Sequence, residues 1–225
     1  MKTLFKAILR LPFTLAFAFV TVATLRALLS LRPTPEAIPV LKPFLAGFTI
    51  AIVVFLLLWK FKLLYVFGHE LTHWLLAKLF RRRTGKFRVG LNSGAVEIEN
   101  PNIWITLGPY IIPIFTLLWC LAAWLTKLFL KNPEIPYDLI IPAGVGVTFA
   151  YHVRLTAFAL TREQPDLQVH GTLFSLAFIL CCNVLLVFSA LALVSPSTST
   201  AFHRLWLLHE QQFAELFAQF ISPDS

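Results

Sequence analysis

The chain has 225 residues, of which 58% are hydrophobic and 13% charged, and its net charge is +8. A soluble domain carries roughly 25% charged residues. With a mean hydropathy of +0.77 and 22 phenylalanines, the composition excludes an ordinary soluble domain and predicts an all-α polytopic membrane protein. The basic residues sit at the ends of apolar runs, which fits contact with the lipid bilayer and control of topology. That placement argues against nucleic acid as a partner. Cys120, Cys181 and Cys182 all lie in apolar runs without zinc-finger spacing, so no disulfide framework is expected.

In chain order, Lys2, Lys6 and Arg10 precede an uncharged run, predicting an uncleaved membrane helix over about 10–31. Residues 32–43, with Pro33, Pro35, Pro39 and Pro43, read as a loop. A long apolar run then extends from Phe44 to Phe80, interrupted by Lys60 and Lys62. It exceeds the roughly 20 residues that span a bilayer, so the helix either projects beyond the membrane or breaks near Lys60. Arg81, Arg82, Arg83, Lys86 and Arg88 come next and mark a cytoplasmic edge.

Alternation through Phe87, Val89 and Leu91, a turn signal at Asn92, Ser93 and Gly94, and alternation again at Val96 and Ile98 predict a β-hairpin over 86–100. A third span over 101–126 contains Gly108, Pro109 and Pro113, predicting a kinked or broken start. A loop over 131–138, a span over 139–160, a polar break over 161–170, a span over 171–194 and an amphipathic tail helix over 201–221 complete about five transmembrane helices with one small hairpin. The implied organisation is an N-terminal helix and loop over 1–43, a core over 44–195 and a tail over 196–225.

One motif carries chemistry. His69-Glu70-Leu71-Thr72-His73 is H-E-x-x-H, and on a helix residues i and i+4 share a face. Two imidazoles there can chelate one Zn²⁺, and the intervening Glu70 can act as general base and acid on a water. Three charged or polar groups within five residues of an apolar run are costly, at roughly 2.5–3.5 kcal/mol for a charged side chain. Helical rise places the pair about 12–18 Å inside the basic edge. The residues leave three candidates for a third ligand: Asp166, His170 and His152. If His152 is not a ligand, its depth suits a donor to a developing oxyanion.

FGHELTH (67–73), SGAVEIEN (93–100), LGPYIIP (107–113) and QPDLQVHG (164–171), in that order, resemble the site-2 protease family of intramembrane zinc metalloproteases, in the manner of its small, diverged bacterial-type members. The resemblance spans roughly residues 44–195. It implies zinc held by His69, His73 and Asp166, with Glu70 catalytic. It further implies hydrolysis of peptide bonds in or near membrane segments of a membrane protein substrate, and residence in a bacterial inner membrane. The family's Asp is often followed directly by Gly, whereas Leu167 follows Asp166 here. The rival reading is a metal-binding membrane protein without proteolysis, such as a transporter, sensor or inactive scaffold. Glu70 speaks against a transporter, which has little need of a general base beside two ligands. Nothing in the pattern sets an oligomeric state.

Overall fold

The computed structural model describes residues 2–30, 35, 37–57, 62–91, 93–130, 134–161, 164–194 and 198–221. The protein is mainly helical, with one two-stranded antiparallel sheet. It divides into two compact units, residues 1–38 with 171–225 and residues 39–170.

The first unit holds α1 (Lys2–Ser30), α8 (Thr172–Val194) and α9 (Thr198–Ile221). Ala27 and Phe188 are fully buried against each other, with Leu28 and Leu208 packed around them. Thr14, Thr21 and Thr24 lie buried in α1. Each returns its hydroxyl to the carbonyl one turn back, which satisfies a polar group without a partner helix. The three cysteines are free.

The second unit carries the HELTH segment. It comprises α2 (Ile38–Leu57), α3 (Lys62–Leu79), the hairpin β1 (Thr84–Val89) and β2 (Gly94–Ile98), α4 (Ile103–Leu107), a 3-10 turn (Gly108–Tyr110), α5 (Ile114–Leu130), α6 (Tyr137–Leu160) and α7 (Pro165–Val169). The loop expected over 32–43 is shorter than its prolines suggest, because α2 begins at Ile38 and includes Pro39 and Pro43. Pro39 costs little at the second helical position, since the first amides have no intrahelical acceptor, whereas Pro43 stands inside the helix and gives up the bond its amide would have made. The apolar run 44–80 forms two helices, α2 and α3, flanking Lys60 and its neighbours, which lie outside the described residues. Gly47 and Gly146 let α2 and α6 touch backbone to backbone: a Cβ on Gly47 would collide with the Ala143 carbonyl, and one on Gly146 with the Phe44 carbonyl.

Among the described residues, four helices are long and apolar enough to cross a membrane, at Ile8–Leu29, Ile38–Leu57, Tyr137–Leu160 and Thr172–Leu191. A fifth arises if Ile103–Tyr110 and Ile114–Leu130, bent by 78°, count as one broken span. This is the break expected at Gly108, Pro109 and Pro113. Helix α3, with Lys62, Glu70 and Lys78, is not among them.

The end of α3 sets the direction of the hairpin. Arg82 N–H bonds the Ala77 carbonyl at 2.7 Å and Arg81 N–H bonds the Lys78 carbonyl at 3.0 Å. Arg81 sits at φ +53°. This is a Schellman termination with arginine in the left-handed position that glycine usually fills. It turns the chain so that the strands fold back along α3. They pair Phe87 with Val96, Arg88 with Ala95 and Val89 with Gly94, with an irregularity toward the Thr84–Ile98 end. Leu76, Ala77 and Ile105 form a buried floor on which Ile98 and Ile112 pack.

Candidate metal centre

His69 and His73 stand one helical turn apart on α3. Their Nε2 atoms are 3.2 Å apart. Asp166 brings its Oδ2 to 3.3 Å from His69 Nε2 and 3.4 Å from His73 Nε2. The three residues form a group that could hold a metal ion. Four-coordinate zinc with bonds of about 2.0–2.2 Å sets neighbouring ligand atoms roughly 3.3–3.5 Å apart. The observed edges of 3.2, 3.3 and 3.4 Å lie in the lower part of that range or just below it.

His73 Nδ1 lies 2.7 Å from the Ile105 carbonyl oxygen, which can only accept, so Nδ1 carries the proton. A neutral His73 therefore turns the lone pair of Nε2 toward a carboxylate. That arrangement needs a cation, proton or metal, among the three atoms. The hydrogen bond to a backbone carbonyl is also the usual outer partner of a metal-ligating histidine.

Local sequence explains why Ile105 is available. Asn102 caps α4, its Oδ1 accepting from Ile105 N–H at 2.9 Å, and Thr106 Oγ1 donates to the Asn102 carbonyl at 3.0 Å. The helical partner of the Ile105 carbonyl would be the N–H of residue 109, which is a proline and has none. Gly108 brings the turn close to α3, since a Cβ there would collide with Leu76.

Asp166 is the second residue of α7, behind Pro165 at the first position. Pro165 needs no acceptor there, and Leu167, 3% exposed, anchors the short helix in the core. Tyr110, itself buried, donates its hydroxyl to Asp166 Oδ2 at 3.1 Å. Burial on its own pushes the Asp166 carboxyl up; in the metal-free protein, with a proton in place of a metal among the three residues, hydrogen bonds from His69 and His73 and their charge outweigh it and hold the group well below the usual carboxylate range.

Glu70 is 8% exposed and is hydrogen-bonded by the backbone of Val96. Gly94 permits this closeness, because a Cβ there would stand 2.6 Å from both Glu70 Cγ and Val66 Cγ1. His69, Glu70, His73 and Asp166 all line one cavity of about 350 Å³, with β2 residues Gly94, Ala95, Val96 and Ile98 on one wall and Gln164, Pro165 and Val169 on another.

Of the residues singled out from the sequence, His69, Glu70, His73 and Asp166 come together. His152 is buried and lines a separate small cavity that also borders His69, not the 350 Å³ cavity. His170 ends α7 and is not in the cluster. Sequence reasoning missed Tyr110, the Ile105 carbonyl and Gly94. Pro109 was the available signal for the second of these. Comparison with protein-family models, with curated proteins and with solved structures finds no match to this chain.

Proposed function

We propose that the protein is a zinc-dependent intramembrane metalloprotease that hydrolyses peptide bonds in or near membrane segments of other proteins. One observation carries this reading: His69, His73 and Asp166 converge with ligand spacing in a cavity that also holds the Glu70 carboxylate. Zinc in such a site supplies Lewis acidity and brings water ionisation toward neutral pH. Glu70 takes the proton of the attacking water and passes it to the leaving amine. The Val96 backbone and Gly94 hold the Glu70 side chain in place for that transfer. His73 is kept in one tautomer by Ile105, and Asp166 is oriented by Tyr110.

The substrate must reach the site as an extended segment, because a helix keeps its carbonyls bonded. The cavity walled by β2 suits such a segment, which can pair along an exposed strand edge. The resemblance in the four motifs supports the protease assignment and a bacterial inner membrane as the setting. The four or five apolar helices support the membrane setting itself.

The test is metal analysis of purified protein with a cleavage assay on detergent-solubilised single-span reporter polypeptides. Wild type should hold one zinc per chain, and His69→Ala and Asp166→Ala should lose it. Glu70→Gln should keep the zinc and cleave roughly 10²–10⁴-fold more slowly. Full zinc retention in both ligand variants overturns the site. Unchanged cleavage by Glu70→Gln overturns the mechanism.

A further inference from the structure

His69 borders two cavities. One is the 350 Å³ cavity of the cluster. The other, of about 30 Å³, is lined by Tyr65, His69, Tyr110, Tyr151, His152 and Ala159, among others. One water needs roughly 10–15 Å³ on this measure and two to four polar partners. The smaller cavity has the volume for one or two waters and is walled by several polar side chains.

A metal-ligating histidine almost always donates its second ring N–H to a carboxylate, a backbone carbonyl or a water. His73 meets this condition through Ile105. The hydrogen bonds of His69 run through Nε2, toward His73 and Asp166. Among the described residues, none accepts a hydrogen bond from its Nδ1. If His69 is a ligand, its Nδ1 must carry the proton, and the side chain is only 12% exposed.

The geometry points to an ordered water in the 30 Å³ chamber that accepts the His69 Nδ1–H and fixes the ligand's tautomer and ring orientation. The two ligating histidines are thus steadied differently, His73 by backbone and His69 by water. The chamber keeps its shape because α3 and α5 meet at Gly68, where a Cβ would stand 2.5 Å from the Phe115 ring. The water is held away from the cavity that takes substrate, so it is not the water consumed in hydrolysis.

This inference rests on the metal-site reading, and the test separates the two. Ala159, 1% exposed, lines the chamber. Ala159→Met fills it, and zinc affinity by chelator competition should fall roughly 10–100-fold, the usual effect of losing a ligand's outer partner. Ala159→Ser leaves room for the water and should keep wild-type affinity, as should Val153→Met at an exposed position of the same helix. A water-resolving structure of the zinc-loaded wild type should show density within hydrogen-bond distance of His69 Nδ1, a readout that stands even if Ala159→Met does not fold. Unchanged affinity in Ala159→Met, or an empty chamber beside bound zinc, overturns the water. A wild type that takes up no zinc overturns the metal reading, and the water with it.

Discussion

His73 donates its Nδ1–H to the Ile105 carbonyl at 2.7 Å, and that carbonyl is unclaimed by its own helix because Pro109 stands four residues on. A proline that reads as a helix breaker therefore also frees an acceptor for the histidine. Pro109→Ala restores an N–H that competes for the same oxygen. Zinc affinity should fall by roughly 10–100-fold, measured by chelator competition. If affinity holds at the wild-type value, the carbonyl does not orient His73.

Gly94 tests the other wall of the site. Its missing side chain lets β2 lie against the Glu70 stem. In Gly94→Val the strand or Glu70 must move by about an ångström, which misplaces the base relative to the water. Cleavage should drop by about 10²-fold, the usual cost of such a displacement, while zinc content stays at one per chain. Loss of zinc in this variant would mean that Gly94 supports the ligands instead of the base.

The helix faces and spans were legible because they depend on local patterns. His69 and His73 are one turn apart, and the 78° break follows Gly108, Pro109 and Pro113. The resemblance names Asp166, but residue spacing alone leaves it level with His152 and His170. Those three separate only when α7 folds against α4, a contact between segments about sixty residues apart. Tyr110 was invisible for the same reason, since its partner Asp166 is 56 positions away. The start of α2 departs from the expected loop because a proline, a breaker inside a helix, is tolerated at a helix entrance.

Arg81 predicts a gain in stability. It occupies φ +53° at the end of α3, a conformation that costs an L-residue with a Cβ roughly 1 kcal/mol or more. Its side chain is exposed. Arg81→Gly should stabilise the protein by about 0.5–1 kcal/mol in denaturant melts, with metal content and cleavage unchanged. A loss of stability would show that the guanidinium makes contacts that outweigh the backbone strain.

Asp166 gives a dependence on pH in the metal-free protein. Its carboxyl is held well below the ordinary range by His69 and His73, against the upward push of burial. A carboxyl with a depressed folded-state pKa binds fewer protons folded than unfolded, so folding is favoured where the unfolded group is ionised. The contribution is complete above the unfolded value of about 3.9. It is lost as pH falls through that value toward the lower folded one. Asp166→Asn removes the contribution at every pH. Metal-free wild type should therefore be more stable than Asp166→Asn at pH 5, and the gap should narrow steadily as the pH is lowered below 4, in thermal melts in detergent. A gap that stays constant below pH 4 would mean that Asp166 acts through packing and not through its charge. Zinc binding should sharpen the contrast at pH 7, because the ligands must be deprotonated to hold the metal. Added zinc should then stabilise the wild type and leave Asp166→Asn nearly unmoved.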